Sequence, residues 1–151
     1  MVDCFTVEDA ANRRPLTDSE FASVKTVLRR VVMEGGDISA LVHRSRTRLF
    51  ALQVSAVPVR SVVEIDNVAS RFDTVIDIVT GDRTGLLYDI ASALSGIGID
   101  FEAAHIMTDV GRVRDSFYVR MNGKKIDDNN LCEVLRQRVS DAIQPLSGLD
   151  K

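Results

Sequence analysis

Tryptophan is missing from this chain, cysteine occurs twice and proline three times in 151 residues. The two cysteines, Cys4 and Cys132, lie far apart without metal-like spacing, which excludes a disulfide framework and a thiolate metal site; two reduced, partly buried thiols are expected. No apolar run approaches the roughly 18 residues of a membrane span. The first residues lack the basic and apolar regions of a signal peptide, so the expected compartment is the cytoplasm. Neither sign of charge dominates: the net charge is -3 and the isoelectric point about 5.4, which argues against a dedicated binder of nucleic acid or of membrane surfaces. Catalytic signatures are missing too. There is no phosphate loop ending in Gly-Lys-Ser/Thr, no His-Asp dipeptide of the metal-dependent phosphohydrolase type and no zinc spacing, and the two histidines are His43 and His105. A non-enzyme without metal or cofactor is the expectation.

What is present is apolar pattern. Hydrophobic residues make up 45% of the chain, enough for one core or for one small domain plus part of another. The stretch Thr80-Gly81-Asp82-Arg83-Thr84-Gly85-Leu86-Leu87 stands where a β-branched run, Thr74 to Val79, gives way to a helical pattern of Leu87, Ile90, Ala91, Leu94 and Ile97. A strand–loop–helix turn of this kind brings backbone close to a small molecule, and the first N–H groups of the helix can receive a carboxylate. The same residues also fit an ordinary turn whose glycines only shape the bend.

In chain order, Asp3 to Val7 reads as a strand. A helix follows from a cap at Thr17 or Asp18, with Phe21, Val24, Leu28, Val31 and Val32 on one face that should pack on a sheet, and it ends at Gly35-Gly36. Residues 37–71 read as a linker, its basic run at positions 43–48 being solvated charge, with a closing strand at 59–66. From residue 72 to 146 the order is clearer: strand Thr74 to Thr80, helix Gly85 to Ser95, strand Ile99 to Thr108, a turn at Asp109-Val110-Gly111, strand Arg112 to Met121, and a helix from Asp127-Asp128 to before Pro145. This β-α-β-β-α order is the split-βαβ pattern of ferredoxin-like α+β folds, a βαββαβ sandwich with helices on one face of an antiparallel sheet.

The front of the chain repeats the back. Asp3-Cys4-Phe5-Thr6-Val7, a polar turn, Leu16-Thr17-Asp18 and an apolar helix match Asp115-Ser116-Phe117-Tyr118-Val119, a polar turn, Ile126-Asp127-Asp128 and an apolar helix. Residues 1–36 are therefore read as a partial copy that enters at its third strand, closed by the run Val59 to Ile65. A partial copy with exposed edges should recruit another chain, which points to a homodimer through a sheet edge or through helices. If Thr108 pairs with Arg112, alternation sets His105 opposite Asp115 on the face of Phe101 and Phe117, and Asp100 opposite Arg120 on the outer face. The first pair reads as a buried imidazole satisfied by a carboxylate rather than as catalysis, because no nucleophile is placed beside it.

The loop segment Asp77 to Leu87, with Gly98-Ile99-Asp100-Phe101 and Arg112 to Val119, resembles the ACT domain, and most of all the paired ACT domains at the C-terminus of bifunctional uridylyltransferase/uridylyl-removing enzymes, nitrogen sensors that modify the PII signal protein. The likeness covers nearly the whole chain. It implies an amino-acid effector, glutamine as first guess, held between the strand–helix loop and the following strand, often at a dimer interface. Carried over by position, Asp82, Thr84, Gly85, Leu86 and Leu87 would form the loop side and Asp100 the strand side, with the backbone taking an α-carboxylate and the two aspartates an α-ammonium. The family has proline where Thr84 stands, so a rigid φ is replaced by a hydroxyl. Two other readings remain open at this point: a dimerising interaction domain without ligand, and an acylphosphatase-like hydrolase on the same fold.

Overall fold

The computed structural model describes residues 7–9, 12–35, 37–49, 59–109 and 111–144. They form two compact units that divide between His43 and Arg44.

In the first unit, helix α1 spans Asp18–Glu34. Its start is fixed locally by a capping box: the Thr17 hydroxyl accepts the Glu20 amide, and the Glu20 carboxylate accepts the Thr17 amide at 2.8 Å. Arg14 forks onto the same carboxylate at 2.8 and 2.9 Å. With the Thr17 amide and hydroxyl, it holds the Glu20 carboxyl down at about 2. Gly35 ends the helix in the left-handed region, φ 65°, and its N–H bonds to Arg30 O. The apolar face expected to pack on a sheet is instead open: Phe21, Val24, Leu28 and Val32 are all exposed, and no residue of α1 is buried. The strand expected at 3–7 lies outside the described residues except for Val7, which is not in a strand.

Part of the expected linker is helical. Helix α2 spans Ser39–Leu49, started by Asp37, whose carboxylate accepts the Ser39 amide at 2.8 Å. The weak apolar pattern hid it, and the basic run at 43–48 lies on it.

The second unit is an α+β sandwich. Strands β1 (Val62–Asp66), β2 (Thr74–Gly81), β3 (Ile99–Asp109) and β4 (Arg112–Met121) form one antiparallel sheet in the order β1-β2-β4-β3, accompanied by helices α3 (Leu86–Ser95) and α4 (Asn129–Ala142). Ile76 and Ile78 of β2, Phe117 and Val119 of β4, Ile90 and Leu94 of α3 and Leu135 and Val139 of α4 meet in a solvent-free core, as a period of two against a period of three to four requires. Ion pairs and hydrogen bonds occupy the outer face, among them Asp77 with Ser116 and Arg120 with Asp73 at 2.8 Å.

Two expectations about pairing are corrected. Strand β1, expected as the closing strand of the front copy, pairs with β2, Ile65 opposite Ile76, in the position that a strand after α4 would take in a βαββαβ chain. The connection favours this local return. Asp66 accepts the amides of Val68 and Ala69, and the Asn67 side chain is held between Thr74 and Ile126 O. The β3–β4 hairpin pairs Asp109 with Arg112, so His105 faces Ser116 and not Asp115. A bulge between Phe101 and Ala103 then absorbs one residue, which restores Phe101 opposite Val119 and Asp100 opposite Arg120.

Candidate functional site

Strand β2 delivers the chain to the loop at Gly81, which lies opposite Arg112 at the tip of the β3–β4 hairpin. The Asp82 amide donates to Gly111 O at 2.8 Å, tying the loop to that tip. Gly85 stands at the N-cap of α3 with φ 80° and ψ 9°, a conformation that a Cβ would strain, and no side chain caps the helix. Asp82 and Leu87 are exposed, Thr84 and Gly85 half-buried, and Leu86 points into the core. The Leu86 amide, one of those expected to receive a carboxylate, is already bonded to Arg83 O at 3.1 Å.

Arg83 is the residue that loop spacing did not single out. Its guanidinium meets Asp89 in the first turn of α3 at 2.6 Å and donates to Ala142 O at the end of α4, also at 2.6 Å. Only 14% of that side chain is exposed. It ties the loop to both helices.

Asp115 lies on the core face, as expected, but without the imidazole expected opposite it. It is 4% exposed, on the core face of β4, and accepts the Met107 amide at 3.2 Å. Burial pushes its carboxyl above the usual aspartate range, the Met107 bond pulls it back in part, and the charge of Asp82 adds to the rise. The signal was present in the sequence: an acid at an inward position of the alternating run Val113, Asp115, Phe117, Val119. His105, expected beside that acid, is exposed on the outer face with its ring edge against Tyr118, centroids 5.7 Å apart.

Asp100 is not brought to the loop within one chain. It pairs with Arg120, beyond the Thr74 end of β2, while the loop leaves the Gly81 end, roughly 23 Å away at about 3.3 Å per strand residue. Its neighbours Ile99 and Phe101 turn toward the core, so Asp100 faces outward; Arg120 is occupied by Asp73 and Glu102. An apolar groove runs along α1 and a polar depression along β1, and neither reaches residues 82–87. Among the described residues no helix is long and apolar enough to cross a membrane, and no three His, Cys, Asp or Glu residues are grouped to hold a metal ion.

Residues 62–147 match the family model described as "ACR9-like, ACT-like domain". Among curated proteins, the chain is similar to bifunctional uridylyltransferase/uridylyl-removing enzymes. That of Azospirillum brasilense is 34% identical over 150 residues, covering 94% of this chain and 15% of the enzyme. The Gluconobacter oxydans enzyme is 44% identical over 87 residues, 57% of this chain and 9% of the enzyme. The Rhodospirillum rubrum enzyme is 31% identical over 144 residues, 94% of this chain and 15% of the enzyme. The chain thus spans about a seventh of the length of the Azospirillum brasilense and Rhodospirillum rubrum enzymes. No solved structure matches it.

Proposed function

The chain belongs to the ACT-like domain family, and from that premise we propose that it is a cytoplasmic, non-catalytic regulatory module that binds a small amino acid, glutamine first, in nitrogen regulation. The loop residues Asp82, Thr84, Gly85, Leu86 and Leu87 hold the effector, and Asp100 completes the site from a second copy. Support for the shared site comes from sheet geometry. Strand β3 is a sheet edge, and Asp109 at its far end pairs with Arg112, the neighbour of Gly81. Antiparallel pairing of two β3 edges would carry Asp100 of one copy toward the loop end of the other. Occupancy then shifts the dimer by differential affinity for two arrangements, since a ligand that binds both equally moves nothing.

The observation that carries this reading is the left-handed Gly85, φ 80°, at the start of α3, where the lack of a side chain lets another group come close to the backbone. Calorimetric titration with the common amino acids tests it. Heat with glutamine, lost in Gly85→Val, is the expected result, and flat heats for every amino acid would overturn it. A dimerising domain without ligand is the second reading, favoured by the Leu86 amide already bonded to Arg83 O and by Arg83, which ties the loop to Asp89 and to Ala142 O. Under that reading sedimentation shows a dimer that no amino acid alters, with Gly85→Val harmless to it. A catalytic reading of His105 with Asp115 loses its geometry, because the two face opposite sides of the sheet.

A further inference from the structure

We propose that Arg83 is a positioning residue that passes occupancy of the loop to the last turn of α4. The inference rests on the effector reading above and names its regulatory output. Its first support is placement. Arg83 stands between Asp82 and Thr84, two residues of the proposed site, yet its own side chain turns inward, to Asp89 at 2.6 Å and to Ala142 O at 2.6 Å. Its carbonyl accepts the Leu86 amide at 3.1 Å, so backbone and side chain of one residue hold the loop, the start of α3 and the end of α4. Contacts this short leave little slack. A loop shift of about 1 Å either carries the end of α4 along or breaks the bond to Ala142 O.

Among the described residues, the receiving end has little fastening of its own. Helix α1 closes on the left-handed Gly35, whereas α4 ends at Ile143 in the right-handed conformation, with no basic residue in its last turn. Asp141 even places a carboxylate near the last carbonyls, where the helix dipole favours a cation. Arg83 supplies that cation from 59 positions away in the chain. The order of the last turn therefore depends on a side chain that belongs to the loop, and Ile143, 4% exposed in the core, follows directly after that turn. The tether holds without locking. Arg83 Nε is shielded from solvent and has no hydrogen-bond partner among the described residues, and this unused donor offsets part of the gain from the two contacts.

The test combines calorimetry with amide exchange of the full chain, with and without saturating glutamine. In the wild type, heat is expected together with exchange at Ile143 and Gln144 slowed about fivefold or more. Arg83→Met should speed exchange there without ligand and erase the response to glutamine, while affinity weakens by about the same factor, as reciprocal coupling requires. Arg83→Lys, which reaches one partner and not both, should keep part of the response. A purely structural role is separated by the double variant Arg83→Met with Asp141→Lys. A cation at the exposed position 141 should restore protection without ligand, and the response to glutamine should stay lost. Flat glutamine heats in the wild type would remove the effector reading and the relay with it. Heat with an unresponsive α4 would overturn the relay alone. So would a response that persists in Arg83→Met or returns in the double variant, or loss of all heat in Arg83→Met.

Discussion

Helices α1 and α4 are nearly the same object in sequence and opposite objects in structure. Each begins at a side-chain cap, Thr17 or Asp128, and each repeats apolar residues along one face. Helix α4 buries Cys132, Leu135 and Val139, and α1 buries nothing. Local chemistry therefore decides that a helix forms and which face is apolar, while burial depends on what other strands bring to that face. The hydrophobic contribution follows the second condition, at about 25 cal/mol per Å² removed from water.

Truncation should expose the contrast most strongly. Leu135→Ala, in a fully buried site, is expected to cost about 2–5 kcal/mol in urea unfolding, whereas its counterpart Leu28→Ala should stay within about 0.5 kcal/mol. Equal effects would mean that the two faces are not in different environments. Next comes the backbone: Gly85→Val places a β-branched residue at φ 80° and should destabilise the second unit by about 1–3 kcal/mol, read from the same urea midpoint, with α1 unaffected. Cap removal is smaller. Asp128→Ala should cost about 1 kcal/mol and lower that midpoint, while Thr17→Ala should reduce helical ellipticity and leave the midpoint unchanged.

Acid gives the smallest and most diagnostic difference, because the two units respond with opposite sign. Glu20 has a depressed pKa, so its support of α1 is complete above the ordinary glutamate value of about 4.3 and is lost as pH falls toward about 2. Asp115 has a raised pKa. Its folded form keeps a proton that the unfolded chain has released, so stability declines as pH climbs from the ordinary aspartate value of about 3.9 through the folded one, and the penalty is complete above it. Amide exchange across pH 2–7 should show α1 loosening in acid while the Asp115 contribution to the β3–β4 hairpin turns favourable. Asp115→Asn should remove the second trend and stabilise the unit near neutrality.

The elements themselves were legible from the residues. Alternation gave β2 and β4, three- and four-residue spacing gave α3 and α4, and Thr17 and Gly35 marked both ends of α1. Pairing was less legible, because a period of two is blind to a one-residue slip. The bulge at Glu102 shifts one half of β3 relative to the other, so His105 was assigned to the wrong partner while Asp100 was assigned to the right one. Strand β1 was legible but its pairing with β2 was not, since nothing in a five-residue β-rich run names its neighbour. At the candidate site, the loop glycines announced themselves. Arg83 did not, because its bonds reach to Ala142, 59 positions along the chain.

The entry of β1 ahead of β2 also fixes an order of events at the ribosome. All four strands and α3 leave the exit tunnel before α4 does, so the sheet can zip up while half of its oily side is still bare. Helix α4 then arrives as a closing cover, and any pause in translation before Asn129 would prolong the interval in which a chaperone, or another nascent chain, could seize that side.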